Sequence, residues 1–575
     1  KIPSLILTFR SKKVRKKEFS SILKCMDTTT IEYDTKRLDH LGIVAGICHE
    51  IGLVETINEM LPARTECKVS YGTATLAMIL NGLGLTGRAL YLMPEYMENK
   101  PVKLLTGEDL EASDFNDDTL GRALDALYQT GITELFAQIA QNAVATYNLD
   151  VAFAHTDTSS FNLTGQYESE VAQKAEQALG AVKITHGYSK DHRSDLKQVV
   201  VTLVTSQKGR IPLWLEALDG NNSDKLSFRE TVDAYCRHLD EGEEPWFVMD
   251  SAAYTADNVR NWGVTKKWLT RVPETISEAK RVLQSIETKE MVKLDNSYAI
   301  HPTTSQYGGI EQRWLVVYSA QAEQREMRQL DKRVARAATK VEKALKTVQN
   351  QAFACEKDAQ QAVAKATKKL KWHRVTATYH PIRKYPRPGR PPKGAQRQVV
   401  GWQVKATYQV DSERLEAAQQ WLGRFLLATN ELDADRLPDE AILNSYKAQG
   451  TTVERGFRFL KDPLFFADSL FLKSPARIMA MIMIMGLCLL IYALAEWRIR
   501  QQLQVREETI PDQRGQPTQR PTMRRIAQMF EGVDLLIIRH GGQIVEQQVL
   551  KLTPVRLQII QLFRPAVQNC YSVGF

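Results

Sequence analysis

The chain predicts an α/β fold: a mixed sheet flanked by helices, interrupted by a β-rich plus helical insertion and preceded by an N-terminal helical domain. Three observations predict it. Helical periodicity dominates up to residue 146. Strand-period and helix-period runs alternate after that. A charged helical stretch then separates two groups of strand-like runs. With 575 residues, the chain is too long for one compact core and should divide into several domains.

Residues 1–25 carry eight Lys/Arg and one Glu, a net +7. The whole chain nets +9, so the other 550 residues net only +2. The chain begins with Lys, and the first Met is Met26. Residues 1–25 are therefore set apart as a basic tail that need not be native; the alternative is an arm that binds nucleic acid. The apolar run IPSLIL within it is too short for a signal-peptide core. Global charge thus says little about partners, and local charge must carry that case. The seven cysteines are scattered and odd in number, with no CxxC pair, so neither a disulfide framework nor a zinc site is suggested, and a reducing cytoplasm fits.

The elements follow in order. Residues 26–146 read as a helical domain for DNA binding or assembly, from the apolar spacing in LGIVAGICHEIGLVETINEML and DTLGRALDALYQTGITELFAQIAQNAV. Asp117 or Asp118 is expected to cap the second run. In VAFAHTD, residues Val151, Phe153, His155 and Asp157 alternate onto one face of a strand expected to end at Asp157. LKQVVVTLVTS and IPLWLEALDG are two further strands joined by the turn SQKGR. A helix capped by Ser223 follows. PWFVMDSAAY then opens with a short strand ending at Asp250. The order strand, strand, strand, helix, strand is the opening of a ribonuclease-H-like core, with its first part at 147–265.

Residues 266–411 form the insertion. WLTRVP, RWLVVYSA and VGWQVKATYQV are strand-like, 321–372 is a helical, charged hairpin, and 373–397, with five prolines, is loop-like. The second part of the core is 412–504. Within it, residues 478–495 lack any charge, behind a Ser474–Pro475 helix start. That length is at the lower edge for a membrane span. With no second span beside it, a buried core helix is expected and no membrane partner, the rival being a membrane anchor. Residues 505–522 read as a linker, and 523–575 as a C-terminal module with a turn at His540, Gly541 and Gly542.

A carboxylate on the inward face of a strand needs a compensating partner. For Asp157 alone, an ion pair or a turn cap suffices. Asp250 lies 93 residues later, and Glu454 a further 204. Glu454, Arg458 and Lys461 fall at i, i+4 and i+7, on one helix face, while Val453, Phe457 and Leu460 can face a core. A surface Glu–Arg pair is the plain alternative. Three carboxylates suit phosphodiester cleavage, in which two divalent ions roughly 3.5–4 Å apart stabilise the attacking and leaving oxygens. Mg²⁺ prefers such oxygen ligands, and Mn²⁺ can substitute. Asp195, at a strand entrance, is expected to pair with Arg193 or Lys197 instead.

Three blocks carry a family resemblance: AHTDTSSFNLTG; HGYSKDHRSDLKQVVVTLV with IPLWLEALDGNNSD; and YKAQGTTVERGFRFLKDPLFF. Together with RPTMRRIAQMFEG, they make the chain resemble bacterial insertion-sequence transposases of the DDE type. It is most similar to the Tyr-Arg-Glu-Lys signature group, in the branch with a long strand-rich insertion between the second and third acids. The resemblance implies that Asp157, Asp250 and Glu454 are the catalytic, metal-holding acids. It implies that Lys461 contacts DNA phosphate and that Tyr446 is the signature tyrosine, one residue further from the Glu than usual. The signature arginine is absent, with Gly450 in its place, and Arg455 or Arg458 could replace it. Related enzymes stack a flipped base on an aromatic of the insertion, but Trp314 and Trp402 read better as core residues.

From Lys365 to Lys405 there are twelve Lys/Arg and no Asp or Glu. Within this stretch, YPRPGRPPKG is similar to a minor-groove hook, placing Arg387, Arg390 and Lys393 on DNA; the alternative is a solvated basic loop. The expected activity is metal-dependent cleavage at element ends and strand transfer into target DNA. The resemblance implies a homodimer in a synaptic complex with double-stranded DNA, acting in the bacterial cytoplasm on the nucleoid. The rival is a catalytically inactive or domesticated DNA-binding relative.

Overall fold

The computed structural model describes residues 31–62, 67–85, 88–164, 180–189, 193–222, 224–239, 242, 244–385, 393, 396–462 and 474–572, without the side chains of 224–227. The Ser223 cap lies outside the described residues. Two compact units make up the chain. The first takes residues up to Asn258, Lys266–Trp268 and Ser445 onward, and the second Val259–Thr265 and Leu269–Asn444.

The first unit begins with strand β1 (Ile31–Arg37) and helices α1 (Leu41–Glu50), α2 (Leu53–Met60), α3 (Tyr71–Leu83), α4 (Met93–Glu98), α5 (Val102–Thr106), α6 (Asp117–Thr130) and α7 (Ile132–Tyr147). The cap of α6 is Asn116, whose side chain accepts from the Thr119 N–H at 2.9 Å. Asp117 and Asp118 instead occupy the first turn, where acids complement the helix dipole. Strands β2 (Phe153–Leu163), β3 (Lys197–Ser206), β4 (Pro212–Leu218), helix α8 (Asp224–Cys236) and strand β5 (Trp246–Met249) follow in the expected order. Their sheet runs β4-β3-β2-β5. The β2–β3 and β3–β4 pairs are antiparallel, and β2–β5 is parallel. The Phe247 N–H donates to the Lys267 carbonyl at 2.9 Å, so the chain at 266–268 runs beside β5.

Helix α9 (Ala256–Trp262) leads into the second unit, which contains β6 (Trp268–Val272), α10 (Ser277–Ser285), β7 (Val292–Lys293), β8 (Tyr298–Ser305), β9 (Gln312–Ser319), α11 (Ala320–Gln349), β10 (Ala352–Phe353), α12 (Glu356–Thr367), β11 (His373–Lys384), β12 (Gln398–Val410), α13 (Ser412–Gln419), β13 (Arg424–Thr429) and the start of α14 (Asp439–Ala448). Its strands run β6-β13-β9-β8-β7, with fully buried Trp314 on β9. A second small sheet, β10-β12-β11, packs on α11 and α12 through Val348, Phe353, Ala359, Val363 and Val404, with Trp402 against that cluster. Residues 373–384, expected as loop, are strand. The run HRVTATYH alternates β-branched and aromatic residues, and Pro381 sits opposite Trp402 without ending the pairing.

The first unit resumes with α15 (Val453–Leu460), α16 (Pro475–Val505), β14 (Ile510–Pro511), β15 (Pro517–Thr518), α17 (Met523–Phe530), β16 (Asp534–His540), β17 (Gln543–Val549), α18 (Pro554–Gln561) and α19 (Pro565–Tyr571). Ser474 caps α16 and Pro475 opens it. The most apolar 18 residues of α16 are 94% buried inside the protein. They pack against α1, α3, α6, α7 and β4, as a core helix does. Strand β1 pairs with β16, so the first and last described segments share one sheet. Asp39 fastens them: its carboxylate accepts from the Gly532 N–H at 2.7 Å, and its carbonyl from the Tyr571 hydroxyl at 2.8 Å.

Candidate active site

All three sequence-predicted acids lie in the first unit. Asp157 does not end β2 but sits in its middle. The strand continues to Leu163 because TSSFNL finds a full antiparallel partner in residues 197–202 of β3. In the parallel β2–β5 pair, His155 lies opposite Val248. Two residues beyond that pair on each chain stand Asp157, still within β2, and Asp250, the first residue after β5. Both aspartates thus follow the same end of a parallel pair of neighbouring strands.

Each aspartate also shapes its own backbone. The Asp157 carboxylate accepts from the Thr158 N–H at 2.7 Å. That of Asp250 accepts from the Ala252 N–H at 2.9 Å, which folds the turn after β5. His155, on the same face of β2, is fully buried, with Nε2 3.3 Å from Gln207 Oε1. Burial pushes its imidazole down to about 4, so it is neutral at pH 7 and brings no positive charge beneath the acids.

Helix α15 carries Glu454. Its apolar side, Val453, Gly456, Phe457 and Leu460, is buried, while Glu454 and Arg458 are exposed. The Phe457 ring lies 6.4 Å from that of Phe161 on β2. Gly456 packs on Leu203: a Cβ there would stand 2.9 Å from Leu203 Cδ2. Leu203 is the residue directly opposite Asp157 in the β2–β3 pair, and opposed residues of antiparallel strands share a face. The helix therefore lies on the face of the sheet that carries Asp157, and Glu454 precedes the Leu203 contact by two residues. The Glu454 carboxylate folds back over Gly450, where an added Cβ would lie 3.6 Å from Oε2.

Lys461 closes α15, with Nζ 5.5 Å above the Phe161 ring. Tyr446 is half-buried on the last turns of α14. Arg455 turns the other way and pairs with Glu496 at 3.0 Å, so its guanidinium belongs to the packing of α15 on α16. Asp195 pairs with Arg193 at 2.8 Å, one of the two partners expected for it. Arg387 and Arg390 lie outside the described residues. Lys393 is exposed, in the second unit.

Among the described residues, no three His, Cys, Asp or Glu side chains are gathered closely enough to hold a metal ion. The donor chemistry nevertheless fits a hard divalent cation: two neighbouring aspartates and a glutamate on the adjoining helix, all oxygen ligands. The Glu454 side chain lies over Gly450, and three rotatable bonds separate its carboxylate from the backbone.

The sequence reading missed Glu496. It is the one acid in the 31 residues of α16, and it is nearly fully buried. It accepts from Arg455, from Arg500 at 2.7 Å and from the Met523 N–H at 3.1 Å. A lone acid in an apolar helix must find such partners, and that was the available signal.

A family model described as a transposase DDE domain matches residues 174–491, a span that includes Asp250 and Glu454 and starts after Asp157. A second, a domain of unknown function (DUF4277), matches residues 33–141. No curated protein matches the chain. Among solved structures, a piggyBac transposase synaptic complex with hairpin DNA aligns over 87% of this chain and 82% of its own, at 9% identity and a TM-score of 0.35. That likeness is too slight to build on.

Proposed function

The chain belongs to the DDE transposase domain family, and from that premise we propose that Asp157, Asp250 and Glu454 are its catalytic acids, on a ribonuclease-H-like core. The observation that supports the reading is the parallel β2–β5 pairing: Asp157 and Asp250, 93 residues apart in sequence, each follow the paired His155 and Val248 by two residues. The strand order β4-β3-β2-β5 and the seat of α15 on β2 and β3 support it.

In this reading Asp157, Asp250 and Glu454 would hold divalent metal, Mg²⁺ by the hardness of the ligands, with the Glu454 side chain leaving Gly450 to join the aspartates. Bound there, the ions supply charge stabilisation for the attacking and leaving oxygens of the phosphodiester. The protein's own part is to hold the acids at one strand edge and to keep α15 pressed on it. Arg458 and Lys461 present positive charge on the same side of the helix as Glu454 and grip the phosphates flanking the cut. Water attacks at the end of the element and frees a 3′-hydroxyl, which then attacks target DNA at the same acids. The acting form is a homodimer on paired ends, in the cytoplasm on the nucleoid of a bacterial cell, within the Tyr-Arg-Glu-Lys group.

The test is Mg²⁺-dependent nicking of a duplex that carries the element's ends. Asp157→Asn and Asp250→Asn should each abolish nicking while leaving DNA binding intact. Nicking that persists in either variant overturns the site.

A further inference from the structure

Strands β11 and β12 form a long antiparallel ribbon, joined by the two-residue β10 only at Trp402 and Gln403, whose two faces differ. One face packs on α11 and α12 through Val404, Ala377, Tyr379 and Ala406. The other lies open. Its cross-strand pairs are Thr376–Thr407, Thr378–Lys405 and His380–Gln403, and all six side chains are exposed. Every one can donate a hydrogen bond, and none is an acid. Thr378 Oγ1 lies 3.0 Å from His380 Nε2 and 3.3 Å from the Lys405 carbonyl, so the row is ordered by its own contacts.

Charge is distributed along the ribbon in a particular way. At its root, Arg374 is neutralised by Asp411 at 2.8 Å and Glu413 at 2.6 Å. Beyond that root no acid occurs: the 41 residues from Lys365 to Lys405 hold twelve Lys/Arg and no Asp or Glu. Toward the tip, Arg383, Lys384, Lys393 and Arg397 are exposed, and Arg397 lies 5.1 Å over the Tyr385 ring.

We infer that this open face is a duplex-DNA docking surface, with the ribbon lying in a groove. The inference rests on DNA being the substrate and adds a surface that the acid site does not include. The twelve residues of β11 extend about 40 Å, near one helical turn of duplex at about 34–36 Å. The DNA major groove, about 12 Å wide, admits a two-stranded ribbon. Threonine, glutamine and lysine donors reach base edges and phosphates there. A second copy of the ribbon is excluded as occupant, because two acid-free basic faces repel each other. The helices already cover the apolar face, so an apolar partner has nothing to bury against the open one.

The test compares full-length Lys405→Glu with Lys332→Glu, an exposed lysine on α11 given the same change of charge. Binding to a mixed-sequence duplex of about 30 base pairs is measured between about 50 and 200 mM salt. Lys405→Glu should weaken binding at least tenfold and lower the slope of log K against log salt by about one. Lys332→Glu should leave both unchanged. Should Lys405→Glu melt early, Lys405→Gln must show the same lowered slope. Binding by the Lys405 variants like that of the unmodified chain, or an equal loss in Lys332→Glu, overturns the docking face. Asp157-dependent nicking in the same preparations would then leave the proposed function standing, whereas failure of the unmodified chain to bind any duplex overturns both.

Discussion

Asp157 is polar in a place where its strand should be apolar, and its neighbours explain why the protein tolerates it. Asp250 follows the end of the neighbouring parallel strand β5, and neutral His155 lies on the same face of β2. On the proposed roles, the acids hold metal while Arg458 and Lys461 hold the DNA phosphates. Replacing Glu454 with Gln should therefore lower nicking by about 10²-fold or more, since holding the metals supplies several kcal/mol of transition-state stabilisation. The melting temperature should not fall, because Glu454 is exposed; a calorimetric scan beside the nicking assay checks both. Glu496 is the opposite kind of residue. Glu496→Ala leaves Arg455 and Arg500 without their buried partner and should cost about 3–5 kcal/mol, read by chemical denaturation. The settings of Asp157 on a strand and Glu454 on a helix were legible in the sequence, because alternation and helical spacing give them without any tertiary knowledge. Arg455 was not, because its sequence neighbours do not reveal that Glu496, 41 residues on, faces it.

At the level of elements, α16 shows what a long apolar run means here. Its small residues let neighbours approach. A Cβ at Gly486 would stand 2.5 Å from Leu215 Cδ1 and 3.0 Å from the Phe136 ring. Gly486→Ala should thus destabilise the protein by about 1–3 kcal/mol through overpacking, measured as a lower denaturation midpoint with an unchanged slope. The core strands, the helical hairpin and the Ser474–Pro475 start were legible, since each follows from local periodicity or capping. The ribbon was only half legible: the five prolines of 373–397 mask a strand whose partner, β12, comes after the masking segment. The end of β2 was misplaced for a related reason. A strand's length is set by what pairs with it, and β3 extends that pairing to Leu163.

At the level of the whole molecule, the chain's beginning and end are joined by the β1–β16 pairing and by the Asp39 contacts. His40, next to that joint, is fully enclosed, with its Nε2–H donating to the Leu83 carbonyl at 2.8 Å. Burial holds its imidazole below the usual histidine range. The unfolded chain then binds a proton that the folded chain refuses. The stability this gives is complete above about pH 6.5 and declines as pH falls below it. Melting temperature should drop on acidification from pH 7 to pH 5, and His40→Gln should flatten that dependence.

The account depends on three distant carboxylates serving one metal site once DNA is bound. Fe²⁺ loaded in place of Mg²⁺ on the DNA complex, with peroxide added, cuts the polypeptide wherever the ion sits. The prediction is cleavage near residues 157, 250 and 454 together, suppressed by excess Mg²⁺ and absent in Asp250→Asn. Cleavage confined to the two aspartates, or falling elsewhere with the chain around Glu454 untouched, would contradict it.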